Sequence, residues 1–475
     1  MQNAFSRSSI VFFFVFLLCG CQFVNKASSE WTTPLLMLEK GDLALLEQWT
    51  DSIKNNGLMH DEQWMKADSF ARVAKRIALD FRLSEAEVKE QLNAKIGSYT
   101  DEEWSQWNAA GLLEFRVLNG EKRYFKRAAS NLAILTERGD GLLDESLGAF
   151  CRSHTVDLLH EIDATNNSKG IRQSFVIDYV LAVDEGAVPA GDTIRCWLPF
   201  PKEHYGRQTN VKLLDVWPGT YILSSDTCVH RSIYLEQAAI ANAKTEFRLR
   251  FSFDAQAEYI DLSKANVLPY KKESALYKVY TKPQLPHIAF TPKVRKLADS
   301  ICGNKVDPVN EVKDIYYWIE ENIPWAGALE YGIMPNIPEY VLNNGRGDCG
   351  MQTLLFMAMA RYRGIPVRWQ SGWMLHPGEE NLHDWCEVYY EGVGWVPLDM
   401  SFGLQESEDE RIRNFYISGI DAYRLIVNDG IGASFYPAKR FLRSEPWDFQ
   451  RGEVEWKGGN LYFNQWSYSL SVDGI

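Results

Sequence analysis

The sequence predicts a multidomain α+β chain, with a mainly helical N-terminal region, a central β-sandwich and a C-terminal α+β domain. Three observations lead there. Apolar residues recur at helical spacing behind two capping boxes in the first third of the chain. The period then changes to two. Further on, a glycine-rich turn opens an apolar run that is followed by a strand hairpin. At 475 residues, 46% of them hydrophobic and 24% charged, the chain is long and apolar enough for about three folded domains. The boundaries fall at 1–20 (a signal segment), 21–34 (a tether), 35–167 (helical), 168–264 (sandwich) and 265–475 (the α+β domain).

The first segment joins Arg7 to the apolar run Ile10–Leu18, too short to span a bilayer and laid out like a secretory signal. It ends in Leu18-Cys-Gly-Cys21, which resembles the bacterial lipobox. That resemblance implies an exported chain anchored to a membrane through a lipid on Cys21, facing the periplasm or the cell surface.

In the helical region, Ser84-x-x-Glu87 and Thr100-x-x-Glu103 are capping boxes, and Asn119-Gly120 between apolar stretches predicts a type I′ hairpin. In the sandwich region, Ser174–Leu181, Thr193–Leu198 and Glu246–Phe253 alternate as strands, with Pro189, Pro199, Pro201 and Pro218-Gly219 as punctuation.

Composition narrows the function. Fifty Lys+Arg against 63 Asp+Glu leave a formal charge of −13, unsuited to a general nucleic-acid binder. The eight cysteines contain no C-x-x-C pair, and neither H-E-x-x-H, a Walker A loop nor G-x-S-x-G occurs. His376 lacks a partner at ligand spacing, so the sequence assigns no metal and no cofactor.

Thiol chemistry remains. Asn344-Gly-Arg-Gly-Asp-Cys-Gly350 reads as a turn and N-cap, and Leu354–Ala360 as a helix apolar on every face, which places Cys349 at the start of a buried helix. There the unpaired N–H groups are expected to favour the thiolate and to face an oxyanion. His383 opens an alternating strand that turns at Glu391–Gly394 into Trp395-Val-Pro-Leu-Asp399. A two-residue loop would set Asp399 opposite Asp384, beside His383, with Pro397 allowing a bulge. Cys, His and Asp then stand in the order of a papain-type triad: nucleophile, base and the carboxylate that orients the base.

Arg346-Gly-Asp-Cys349, Arg363-Gly-Ile-Pro-Val-Arg368, His383-x-Trp385-x-Glu387-Val-Tyr389 and Gly394-Trp-Val-Pro-x-Asp399 together resemble the core of the transglutaminase-like superfamily. The resemblance covers about 275–470. It implies a papain-like fold with Cys349 as nucleophile, His383 as base and Asp399 as orienting carboxylate. It also points to Trp325 as an oxyanion donor, with Tyr331, Asn336 and Gln352 as competitors. One departure is Asp384, where the family more often has a small residue.

Trp369, Trp373 and Trp385 lie close in sequence to these motifs and allow an aromatic substrate groove, with core packing as the alternative. Arg361, Arg363 and Arg368 read either as an anion site or as paired cations. The expected function is a lipid-anchored cysteine amidohydrolase or peptidase acting through an acyl-enzyme on a peptide, protein or peptidoglycan-stem substrate. The alternatives are a protein-glutamine acyltransferase and a non-catalytic binding lipoprotein that keeps the fold.

Overall fold

The computed structural model describes residues 31–57, 61–139, 145–203 and 206–473. The signal segment and Cys21 lie outside the described residues. No helix among those described is long and apolar enough to cross a membrane.

The helical region forms as its local signals predict. Both capping boxes are made reciprocally, Ser84 with Glu87 and Thr100 with Glu103. Asn119 and Gly120 both take positive φ, 49° and 83°, which closes the Phe115–Leu118/Glu121–Tyr124 hairpin. These helices do not form a core of their own. Phe125, Ala129 and Leu132 pack in one apolar cluster with Tyr331, Met334 and the Cys349–Tyr362 helix. Asn131 fastens the contact, donating to Gly327 O and accepting from Gly327 N–H, each at 2.9 Å. The last helix of the region, Glu145–Thr165, instead sets Leu158 and Leu159 against Ala257 and Tyr259 of the sandwich.

The sandwich consists of two five-stranded sheets. One runs Gly419–Ile420, Thr245–Tyr259, Lys169–Val183, Trp466–Asp473, with Gln208–Trp217 also paired to Thr245–Tyr259. The other runs Gly459–Leu461, Glu453–Trp456, Thr193–Pro199, Ser232–Ala238, Tyr221–Leu223. Phe247, Leu249, Phe251 and Phe253 alternate inward from one sheet to meet Ile194, Trp197 and Leu198 of the other. The strands at 453–473 complete both sheets, so the sandwich draws on chain beyond the 168–264 segment. The C-terminus thereby ties the α+β region to the sandwich.

The remaining sheet is antiparallel in the order Gly394–Leu398, Asn381–Tyr390, Val367–Met374, Arg424–Asn428. The Cys349–Tyr362 helix lies on it, buried from Gly350 to Arg361, which explains an apolar run with no polar face. Gly364, at φ +79°, ends it.

The hairpin differs from expectation. Tyr390 pairs with Gly394 and Cys386 with Leu398, so the loop holds three residues, Glu391–Val393, and not two. Gly392 at φ +86° supplies the left-handed position that a three-residue loop needs. Pro397 makes no bulge; it pairs with Glu387 on an edge strand, where a missing N–H is tolerated.

Candidate active site

The longer loop decides which face Asp399 occupies. With Cys386 opposite Leu398, the next position sets Asp399 level with Trp385, on the same face as His383, whereas the two-residue loop would have set it level with Asp384. Sliding by one residue exchanges faces in a strand. Asp399 accordingly reaches His383: its Oδ2 lies 2.7 Å from Nε2. Both side chains are buried.

Two further groups hold the carboxylate. Arg424 Nη2 donates to the same Oδ2 at 3.1 Å, and the Ser401 N–H donates to Oδ1 at 3.1 Å. Burial alone would raise the Asp399 pKa, but His383 and Arg424 outweigh it and keep the group below its ordinary value. Arg424 is itself completed by Asp421 at 3.0 Å, which also lies 3.3 Å from His376 Nε2. His376 thus joins this network through its contact with Asp421. Gly372 pairs with His383 across the sheet, and a Cβ there would stand 1.9 Å from Leu425 O. Glycine is what lets the Arg424 strand approach.

Cys349 opens its helix as expected, with the Asp348 side chain accepting from Met351 N–H as N-cap and from the Tyr331 hydroxyl at 2.6 Å. Its partner is not the expected one. Alternation sends His383 and Asp384 to opposite sides of the strand, and the thiol donates to Asp384 Oδ2 at 3.5 Å. No hydrogen bond joins Cys349 to His383 among the described residues. The thiolate that the helix N-terminus would favour is opposed as well: burial, then the neighbouring carboxyls of Asp384 and Asp348, push the thiol well above its usual range. The structure therefore makes two pairs, His383 with Asp399 and Cys349 with Asp384.

The thiol lines a cavity of about 200 Å³ whose walls include Trp325, Tyr331, Asp384, Glu445 and Arg451. Among the oxyanion candidates, Trp325 is 42% exposed at this cavity, and its backbone bridges to Gly347, two residues before the cysteine. Tyr331 also lines it, with its hydroxyl already given to Asp348. Gln352 donates to Ile323 O and accepts from Ser401, while Asn336 caps another helix. The three tryptophans proposed for a groove lie elsewhere. Trp369 and Trp385 are buried, the latter donating to Gln370 and stacked on His383, and Trp373 packs in the sandwich core. None of the three lines the cavity. Arg361, Arg363 and Arg368 are bonded to Val367 O, Glu311 and Glu387.

Sequence reasoning passed over Arg424, Asp421, Asp448 and Gln450. The one available signal was an arginine at the head of the apolar strand Arg424–Asn428, a placement that calls for a buried anion.

Residues 295–400 match the model of the transglutaminase-like superfamily. Among solved structures, the chain is similar to a candidate cysteine protease from Cytophaga hutchinsonii, at 16% identity over 64% of this chain and 91% of that one, with a TM-score of 0.45. It is also similar to the periplasmic domain of TgpA from Pseudomonas aeruginosa, at 14% identity over 50% of this chain and 90% of that one, with a TM-score of 0.26. No curated protein sequence matches it.

Proposed function

Residues 295–400 form a transglutaminase-like superfamily domain, and from that premise we propose that the protein is a thiol amidohydrolase acting on peptide or amide bonds through an acyl-enzyme on Cys349. The observation that carries this reading is the buried His383–Asp399 pair, closed at 2.7 Å and backed by Arg424, one residue along the strand from the group that binds the Cys349 thiol. Asp399 fixes the imidazole with Nε2 toward itself, which leaves Nδ1, without a hydrogen bond among the described residues, to take a proton.

In this mechanism the thiol gives its proton to His383, and sulfur attacks the carbonyl carbon. The Cys349 N–H and Trp325 indole stabilise the oxyanion. His383 returns the proton to the leaving amine, and water then frees the acid. Substrates of peptide, protein or peptidoglycan-stem type fit this chemistry. Acyl transfer to an amine is the other outcome open to the same intermediate.

The signal-like segment and Cys21 support export and a lipid anchor in the same proposal. Mass spectrometry of the mature N-terminus tests it: a lipidated Cys21, lost in Cys21→Ser, is the expected result. An unmodified terminus elsewhere would remove the anchor.

The activity is tested by labelling Cys349 with a thiol-directed electrophile, then screening peptide and peptidoglycan libraries. Cleavage that survives in Cys349→Ala would overturn the assignment.

A further inference from the structure

The position after His383 carries a carboxyl group in place of a small side chain, and that group is built into its surroundings. Asp384 Oδ2 accepts from the Cys349 thiol at 3.5 Å, and Oδ1 accepts from Gln450 Nε2 at 2.9 Å. Asp448, only 3% exposed, is hydrogen-bonded to Asp384 side chain to side chain. The Oδ1 of Asp448 is held by Ser371 at 2.5 Å and by Asn428 at 3.2 Å, while its Oδ2 has no donor from any other residue among those described. Two carboxyls meeting in a buried wall cannot both ionise, so one proton lies between them.

Asp384 also crowds the helix start: a Cβ on Gly350 would stand 2.5 Å from its Oδ2. Glycine after the cysteine is what admits the carboxyl. Nothing in this arrangement serves the mechanism above, which needs the thiol at His383.

We propose that Asp384 is a positioning residue that latches the nucleophile: with Asp448 and Gln450 behind it, it holds the Cys349 sulfur protonated and turned away from His383 until substrate displaces the bond. Release breaks the S–H bond and forms an N–H bond at His383 Nδ1, leaving thiolate and imidazolium, so no charge or atom is unaccounted for. The inference rests on Cys349 being the nucleophile. The charged and titratable groups around the sulfur are Asp348 on its own helix, Tyr331 on the turn at 331–333 and Asp384 on the strand, with His383 on that strand's opposite side. Glu445 and Asp448 lie on the loop before Glu453, which also lines the cavity, and Arg127 and the Glu330–Arg451 pair complete the wall. Of these, only Asp384 bonds the thiol.

The test is the rate of Cys349 alkylation by iodoacetamide against pH, in the full chain, with the site assigned by peptide mass mapping. It needs no substrate, so failure to find hydrolysis and failure of the latch are separate results. The wild-type rate should rise only above the ordinary thiol midpoint of about 8.5. Asp384→Asn and Asp384→Ala should bring that midpoint down and speed alkylation at pH 7 by about tenfold, one pH unit of thiol ionisation. Asp448→Asn should not, because it leaves the Asp384 carboxyl in place to accept from the thiol. A wild-type midpoint at or below about 8.5 overturns the proposal whether or not the variants fold. So does an unchanged profile in both Asp384 variants. Equal acceleration by Asp448→Asn would show a loosened cavity in place of a latch, and overturns it too.

Discussion

Arg424 and His383 meet on a single atom, Asp399 Oδ2, from which they stand 3.1 and 2.7 Å away. A carboxylate held by both a guanidinium and an imidazole stays ionised although it is fully buried, and it orients the imidazole only while it is ionised. Arg424 also neutralises Asp421, which its guanidinium and His376 hold well below the ordinary carboxylate range despite burial. Arg424→Met therefore leaves two buried carboxylates short of a cation. The expected cost is about 3–5 kcal/mol of stability, read by urea unfolding. Turnover of the folded fraction should fall by at least about tenfold, because the base loses its fixed orientation. A variant with wild-type stability and rate would refute this account of the pair.

Within the triad, Cys349→Ala and His383→Ala should abolish turnover while the fold persists, since Cys349 only lines the cavity and His383 sits at the start of its strand. Asp399→Ala should be the mildest of the three, because Asp399 orients the base without touching substrate. Cys386, wholly buried on the other face of the strand, is the control. Cys386→Ser should lose some stability and keep its kcat, a split that circular dichroism and steady-state rates separate.

The sequence carried whatever depends on neighbours in the chain. Capping boxes at Ser84 and Thr100, the Asn119-Gly120 turn and the helix opening at Cys349 are local choices of backbone conformation, and each appears where its residues stand. Contacts between distant segments were not legible. Arg424 reaches Asp399 across 25 residues, and Gln450 reaches Asp384 across 66. No spacing rule encodes either contact. The hairpin shows how fine the limit is, since adding Val393 to the loop moves Asp399 to the other face of the sheet. The indoles of Trp369, Trp373 and Trp385 illustrate a second limit. An aromatic stripe beside a motif packs a core as readily as it lines a groove, and only burial tells the two apart.

Acid stability should depend on Glu330. Burial pushes its pKa up, but ion pairs with Arg451 at 2.7 Å and Lys126 at 3.2 Å prevail and bring it down to about 2. A group whose pKa is lower in the folded state stabilises above its unfolded value and loses that contribution as pH falls through the folded one. The window is therefore about pH 4.5 down to 2. Glu330→Gln should flatten the unfolding free energy across that window, with a loss near neutrality of order 3 kcal/mol. An unchanged pH slope would show that the ion pairs contribute nothing net.

Glu445 should act with the opposite sign. Burial in the cavity wall raises its pKa to about 8, and no cation lies within ion-pair distance of it among the described residues. The unfolded carboxylate ionises near 4.5 while the folded one keeps its proton, so the folded state binds more protons and stability falls as pH rises from about 4.5 to 8. Glu445→Gln keeps an acceptor for the Trp447 N–H, which bonds Oε1 at 3.0 Å, and removes the titration. The variant should be more stable than wild type at pH 8 and equal to it at pH 4, as measured by thermal denaturation at the two pH values. Greater stability at both would point to packing in place of ionisation.

The last expectation concerns the fate of the acyl-enzyme. An attacking amine must be neutral, yet the cavity beside Cys349 carries Asp348, Glu453 and the Asp384–Asp448 pair, which keeps one negative charge, against Arg127 and the Glu330-paired Arg451. An ammonium ion drawn to such a wall is held in the protonated form, which has no lone pair to offer, whereas water needs only His383 to activate it. Hydrolysis should therefore dominate. With an accepted peptide and millimolar primary amine present together, quantifying acid and amide products by mass spectrometry reads how one intermediate divides. The acid should prevail at neutral pH, and the amide fraction should grow as pH approaches the pKa of the amine. Predominant amide at low amine concentration and neutral pH would make the protein a transamidase, and the hydrolase assignment would fall with it.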